Sequence, residues 1–496
     1  NRAGQFDPSG PRRPVPPAST ALWEPVTSDP LPASAAAPRA AAPALPSLTG
    51  PAPPAAEPDG LRPELGLLDS TMINVGTIIA SSIFIVPSTI AAAFTASFPT
   101  ILVWVVGAVV SLCGALCIAE LGAAMPRAGG QFVYLRRAFG PIWGYLYGWG
   151  SAIVVNPASI AAIAVGFATY LGFFLPFSPL AVKLVAAGSI LLLTLLNCFG
   201  LRVGALTQNV LTLIKIVAVV ALVALCLLLP GGQLANFEPL WPRESAHSLV
   251  GPFGVAMIAV LFAYDGWIEI TYVGSELRNP ARDMPRSIVM STVLVSVLYI
   301  GVSVAVLYVL GQAATARSGL VAADAMRVVL GTAGASLITV AVLISTLGSN
   351  NGIVFTAARI PYAMARAGQF FRWAARLHPR YQTPNTSLVV QGLWSAALAM
   401  SGTYLQLITY MVFVSFLFYA LSCVAVIVLR RREPGLHRPY RAWGYPVTPV
   451  VFILFSGYLI GNTIREAPKD AAIGAALLLA GLPVYAWFRR SYAQAR

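Results

Sequence analysis

Charge is what this sequence has least of. Asp, Glu, Lys and Arg together make up 10% of its 496 residues, whereas a water-soluble domain carries roughly 25%. With 57% hydrophobic residues there is too little polar surface to cover a soluble particle, so a soluble globular fold is excluded. Lysine is nearly missing: only Lys183, Lys215 and Lys469 occur. No Gly-x-x-x-x-Gly-Lys-[Ser/Thr] loop is present, which removes an ATP-driven pump built on this chain alone. The three histidines, His247, His378 and His437, lie near segment ends with no glutamate at metalloprotease spacing. No nucleophile–base pair stands at depth either, so neither an enzyme, a metal site nor a cofactor is expected. The five cysteines (Cys113, Cys117, Cys198, Cys226 and Cys423) fall within or at the edges of apolar segments, which argues against a disulfide framework.

What is abundant is long apolar runs. About twelve recur, near 71–94, 99–122, 142–170, 179–198, 206–229, 249–275, 288–311, 334–364, 387–402, 404–429, 446–463 and 470–488. Runs of this length cross a hydrocarbon core of roughly 30 Å as helices. The expected fold is therefore an all-α integral membrane protein of about twelve helices. The net charge of +14 is explained by where the charges fall. If segment ends alternate between two sides, side one receives twenty basic residues, from Arg127, Arg136 and Arg137 through Arg430, Arg431 and Arg432 to Arg496. Side two receives five: Arg243, Arg317, Arg327, Arg465 and Lys469. This is the positive-inside bias, which places both termini in the cytoplasm and makes the basic balance a matter of topology rather than nucleic-acid binding. Residues 1–62, rich in proline and alanine, lack a periodic apolar face and read as a disordered cytoplasmic tail. Residues 63–496 form the membrane domain.

Two runs are interrupted at mid-membrane by small or polar residues: the first, from Gly76 to Pro87, and the sixth, at Ala263-Tyr-Asp-Gly266. They occupy matching positions if the first ten helices are two repeats of five, about 66–230 and 245–430, with extra helices at about 445–490. Broken helices in corresponding positions of two halves point to a transporter site. Freed N–H groups at a half-helix start suit a carboxylate, and freed carbonyls suit an ammonium, so a zwitterionic amino acid would fit both. Charge at depth costs about 2.5–3.5 kcal/mol on insertion scales, and Lys215 lies about ten residues into the fifth run with no acidic residue nearby in sequence. A functional role is expected for it. Lys183, near the outer end of the fourth run, can snorkel. Asp265 either faces a cavity or satisfies amides freed at the break. Glu276 and Glu120, near cytoplasmic helix ends, are expected in salt bridges with the arginine-rich loops.

At the level of motifs, Phe262-Ala-Tyr-Asp-Gly-Trp267, Ser275-Glu-Leu-Arg-Asn-Pro280 and Met284-Pro-Arg286 resemble the amino acid–polyamine–organocation superfamily. Within it they are most similar to the L-type and bacterial serine/threonine-exchanger branch. Gly76-Thr-Ile-Ile-Ala-Ser-Ser-Ile-Phe84, Ala119-Glu-Leu-Gly122, Pro126-Arg-Ala-Gly-Gly-Gln-Phe-Val-Tyr134, Ala358-Arg-Ile-Pro-Tyr-Ala-Met-Ala-Arg366 and Arg438-Pro-Tyr-Arg441 extend the likeness over about residues 66–490. The resemblance implies a five-plus-five inverted-repeat fold with two further helices and alternating access around a central site. It implies a substrate site at Ile78, Ala80, Ser81, Ser82, Phe262, Ala263, Tyr264, Asp265 and Gly266. Amides around Ser81 and Ser82 would hold a carboxylate, and carbonyls at Ile78, Phe262, Ala263 and Asp265 an ammonium. Lys215, with Ser345 and Thr346, would stand where sodium-coupled relatives hold a cation, implying sodium-independent exchange or proton coupling.

One departure concerns the site. The family usually has Gly-Ser-Gly before Ile-Phe, whereas this chain has Ala80-Ser81-Ser82, which implies a small substrate or a different carboxylate pose. A second point concerns partners. Animal L-type relatives link to a heavy chain through a cysteine after the third helix, and the loop at about 171–179 has none, so no disulfide-linked heavy chain is expected. The expected activity is secondary transport of small neutral amino acids across a bacterial-type inner membrane. A polyamine or cationic amino-acid carrier is the alternative, kept open by Asp265 and Glu269, and a non-transporting membrane sensor on the same fold is a third.

Overall fold

The computed structural model describes residues 61, 63–199, 201–242, 249–401 and 404–494. The expected tail at 1–62 lies, apart from Leu61, outside the described residues, as do Arg243, His247 and Arg496. Among the described residues the secondary structure is helical, with only isolated bridges between extended segments.

Among the described residues, eleven segments are long and apolar enough to cross a membrane. In chain order they are Leu67–Ala93, Ser97–Ala124, Pro141–Leu171, Pro179–Asn197, Leu206–Leu228, Val250–Glu276, Pro280–Arg317, Val321–Arg366, Gln406–Arg432, Val447–Glu466 and Pro468–Arg489. The expected ninth run is the 17-residue helix Asn385–Ser401, which completes twelve spans, numbered here 1 to 12 with this helix as span 9. The expected limits of spans 7 and 8 coincide with kinks rather than with helix ends. Span 7 bends at Gly311 (φ 75°) and span 8 at Gly331 (φ 67°), close to the predicted end at 311 and start at 334. Span 7 begins earlier than expected, at Pro280, because the polar stretch Ala281–Arg286 is helical although not apolar. Proline suits the first helical turn, where its missing N–H is not needed.

Span ends assigned to one side meet one another. At side one, Arg430 donates to Glu120 at 2.8 and 2.5 Å, and Arg137 pairs with Glu433 at 2.6 Å. The chain entering span 1 pairs with the exit of span 6, the N–H groups of Glu64 and Leu65 both donating to the Glu276 carbonyl at 2.9 Å. At side two, Lys183 donates to the carbonyl of Met400 at the end of span 9, 2.9 Å away. Its charge thus caps a helix C-terminus.

Spans 1 and 6 are both broken, where the sequence placed the breaks. Span 1 consists of the half-helices Leu67–Ile78 and Ser82–Ala93. Span 6 runs as an α-helix over Val250–Tyr264, leaves it at Asp265 (ψ 153°), and resumes as a 3-10 helix over Glu269–Glu276. The breaks touch at Gly266. Its φ of +115° is one that side chains rarely adopt, and a β-carbon there would stand 3.0 Å from the backbone nitrogen of Ile78 and 3.1 Å from Thr77. Gly266→Ala is therefore expected to cost about 1–3 kcal/mol, read as a lowered unfolding temperature of the purified protein. Gly457→Ala, on an exposed helical face with nothing within 4 Å, should leave that temperature unchanged or raise it. Equal effects would remove the role given to Gly266.

Candidate functional site

Span 5 delivers its lysine by periodicity. Leu206, Val210, Leu213, Val217 and Val220 are exposed on one side, at 48–67%, and form the lipid-facing stripe. The opposite stripe, Gln208, Thr212, Lys215, Val219 and Leu222, is buried at 0–2% exposure. Both follow a spacing of three and four residues, which keeps one helix face toward the protein. The Lys215 ammonium donates to the carbonyls of Gly76 (2.7 Å) and Ile79 (3.0 Å) and to Ser349 Oγ (2.8 Å). Three acceptors match the three protons of an ammonium. Lys215 thus binds the end of the first half of span 1 and span 8 together, and Gly348 leaves room for it: a β-carbon there would lie 3.3 Å from Nζ.

The two span-8 residues expected beside Lys215 divide. Ser345 Oγ donates to the Ile79 carbonyl at 3.2 Å, in the cluster. The Thr346 hydroxyl bonds within its own helix, to Val342 and Leu343 carbonyls at 3.0 and 2.9 Å. The residue that completes the cluster is Ser349, one helical turn beyond Ser345, which also contacts the carbonyls of Gly76 (2.8 Å) and Ile79 (2.5 Å). A spacing of four puts it on the same helix face, which is the signal that could have found it.

At the span-1 break the Ile78 carbonyl accepts from the Ala80 N–H at 2.8 Å and from the Tyr299 hydroxyl at 2.7 Å. Both of its lone pairs are engaged in this conformation. Tyr299, from span 7, was not anticipated; it forms an aromatic cluster with Trp104 and Tyr264, ring centroids 5.3–5.9 Å apart. The hydroxyls of Ser81 and Ser82, 0% and 1% exposed, have no hydrogen-bond partner among the described residues. Ser81 sits against span 3 at Gly166, where a β-carbon would come within 2.5 Å of its Oγ. Its backbone is right-handed helical (φ −62°, ψ −23°), so serine costs no strain there. Buried hydroxyls at the first turn of a half-helix are donors placed where a carboxylate is favoured.

At the span-6 break, Asp265 N–H closes onto the Phe262 carbonyl at 3.2 Å, and Tyr264 donates to the Trp104 carbonyl at 3.2 Å. Ala263 is fully buried. The Asp265 carboxylate accepts from the Tyr419 hydroxyl of span 10 at 2.6 Å, a partner also missed, because a tyrosine in an apolar run carries no local sign. Below the break, Glu276 forms an ion pair with Arg359, Nε to Oε1 2.9 Å, both 1% exposed. The guanidinium also donates to the Phe355 carbonyl and lies 4.0 Å from that ring's centre. Glu120 holds Arg430 and, at 3.5 Å, Arg438, and accepts the Ala442 N–H at 2.8 Å. Both carboxylates thus stand in the side-one salt bridges expected of them. Among the described residues no group of three or more His, Cys, Asp or Glu is placed to hold a metal ion.

Residues 65–488 match the family model described as amino acid permease, and the chain belongs to that family. It is similar to the b(0,+)-type amino acid transporter 1 of Mus musculus, 34% identical over 86% of this chain and 88% of that one. The serine/threonine exchanger SteT of Bacillus subtilis (strain 168) is 30% identical over 86% of this chain and 97% of its own. The large neutral amino acids transporter small subunit 2 of Rattus norvegicus is 31% identical, covering 86% and 80%.

Removing one partner of a buried ion pair costs about 3–5 kcal/mol, so Glu276→Gln should lower the protein's unfolding temperature markedly. Glu433→Gln, which breaks the exposed pair with Arg137, should change stability by under about 1 kcal/mol. Similar losses from the two would contradict the distinction drawn between them.

Proposed function

We propose that the chain is a secondary active transporter of amino acids, small neutral ones foremost, working by sodium-independent exchange or proton coupling through alternating access around the breaks in spans 1 and 6. The observation that carries this reading is the pair of buried hydroxyls of Ser81 and Ser82, without a hydrogen-bond partner among the described residues, at the start of a half-helix. Two residues before Ser81, the Ile79 carbonyl is bound by Lys215. Lys215 fills with its own ammonium the place a coupling cation would take, which supports sodium independence. The similarity to a serine/threonine exchanger supports both the exchange mode and a small substrate. The arginine bias of side one supports an orientation with both termini in the cytoplasm of a bacterial-type inner membrane. The Glu276–Arg359 pair then stands on the cytoplasmic path below the break. In this reading the first ten spans are two repeats of five.

The large neutral relative is named a small subunit, but the loop Gly172–Ser178 of this chain contains no cysteine. No disulfide-linked heavy chain is proposed. A cationic amino acid or a polyamine is the second reading, favoured by the Asp265 carboxylate at the break. A sensor without flux is the third, and it would not require Lys215.

Counterflow into proteoliposomes loaded in turn with serine, leucine, lysine or putrescine, without sodium, separates these. Accumulation of labelled serine against serine supports the proposal, accumulation with lysine or putrescine alone supports the second reading, and no flux from folded protein supports the third. Lys215→Ala should abolish or uncouple flux while the protein still folds. Wild-type coupled flux in that variant would remove the mechanism. Ser82→Gly should widen the range of amino acids that compete for entry, and an unchanged inhibition profile with large amino acids would count against the serines as the size limit.

A further inference from the structure

Glu269 opens the 3-10 segment of span 6 and takes no part in the site described above. It is 3% exposed and lies within a membrane span, where an ionised carboxylate needs a compensating charge or proton. Among the described residues no positively charged side chain acts on it, and Arg127, whose backbone lies against Gly274, is exposed. Span 8 presents the Thr356 hydroxyl. Span 3 presents Tyr147, which donates to Tyr272 of Glu269's own segment at 2.9 Å. Span 10 presents Tyr419, already committed to Asp265. Span 1 presents Asn74, whose Oδ1 accepts the Ile270 N–H at 3.1 Å, and span 7 presents the apolar Met284 against Gly274. The nearest cation along span 8, Arg359, is paired with Glu276. Asp265, four residues before Glu269, is a further negative group on the same element.

The contact with Thr356 bears on where the proton is. Thr356 Oγ1 lies in contact with Glu269 Oε2, and also 3.0 Å from the Gly352 carbonyl four residues back. A hydroxyl has one proton and two lone pairs, so it gives a full-strength bond to only one of them. Four threonines inside the spans give that proton to the carbonyl four residues back: Thr194 to Ile190, Thr292 to Ile288, Thr339 to Ala335 and Thr463 to Leu459, at 2.7–2.8 Å. If Thr356 does the same, its oxygen accepts, and the hydrogen in the contact belongs to the glutamate.

We infer that Glu269, seated on Thr356, is a proton-binding site of the transport cycle, separate from Lys215. The carboxyl holds one proton while the surrounding spans are closed. It gives that proton to water admitted when span 6 swings, and takes one back on the return. Carrying a proton rather than a charge lets span 6 move without exposing an uncompensated carboxylate to a low dielectric. The inference deepens the transport reading and rests on it for the coupling, though not for the protonation itself.

The test compares the full-length wild type with Glu269→Gln and Thr356→Val, both close in shape to the residues they replace. Infrared spectra of the purified protein at neutral pH should show a protonated-carboxyl stretch that Glu269→Gln removes and Thr356→Val shifts. In proteoliposomes, wild-type exchange should vary with pH by up to roughly tenfold per unit, the limit for one proton. Glu269→Gln should still exchange, with a flat pH profile. A spectrum unchanged by Glu269→Gln overturns the site, and parallel pH profiles overturn its coupling. Should the wild type move no amino acid at all, the transport reading falls, and the infrared comparison alone decides for or against the proton on Glu269.

Discussion

Hydrocarbon cannot hydrogen-bond, and a backbone group left bare inside it costs several kcal/mol. Each break in a membrane helix releases such groups, so a chain that breaks two spans must recruit donors and acceptors from other spans. The span-1 break draws on Lys215 for the Gly76 and Ile79 carbonyls, Tyr299 for Ile78 and Tyr170 for Phe84. The span-6 break draws on Asn74 for the Ile270 N–H, and the two breaks meet where the Thr77 hydroxyl lies 3.2 Å from the Gly266 carbonyl. Spans 3, 5 and 7 thus satisfy a backbone that could not satisfy itself. This is why polar side chains stand inside an otherwise apolar bundle.

The same satisfaction limits how the protein can move. A donor that leaves a carbonyl must be replaced by water or by a ligand atom, so movement is cheapest where a substitute partner is at hand. Arg359 illustrates this. If Glu276 swings away with span 6, the guanidinium keeps the Phe355 carbonyl and the Phe355 ring, and remains partly compensated. Glu120 is tied differently, to Arg430, Arg438 and the Ala442 amide together, with Arg430 also 3.9 Å from the centre of the Tyr445 ring. Several partners on spans 2 and 10 and the following loop make that cluster a fixed brace, whereas a single pair between spans 6 and 8 can open.

Length and hydropathy made the spans legible, because roughly twenty apolar residues have few other uses. The two breaks were legible because glycine and aspartate interrupt the runs at Ala263–Gly266, and because Gly76 and Ala80–Ser82 do so in span 1. Span 5 was legible from its spacing, which separates the lipid face from the Lys215 face. The donors from other spans were not. Tyr299 and Tyr419 sit in apolar runs where a tyrosine reads as core, and only the folded arrangement brings them to Ile78 and Asp265. Thr346 was expected from the resemblance alone, whereas Ser349 shares the helix face of Ser345 because a helix brings residues four apart to one side, and it is Ser349 that meets Lys215. The kinks at Gly311 and Gly331 shifted span limits for a related reason: a kinked helix continues past the point where its apolar run ends.

The serines at the span-1 break show how a departure from a family pattern can be weighed physically. Glycine is needed where backbone geometry is left-handed or where another group must come close. Ala80 and Ser82, which stand where the family has glycine, both lack a positive φ, so the first condition does not apply. The second bears on the room beside the break, where the serine between them, Ser81, already packs against Gly166 of span 3. The change from glycine therefore adds one hydroxyl, at Ser82, and one methyl, at Ala80, at the expense of room. Buried hydroxyls without partners are costly as they stand, and a site that leaves them so is stabilised by any ligand that brings acceptors. A small carboxylate-bearing solute does that; a bulky one would have to displace the serines, and with them the contact of spans 1 and 3.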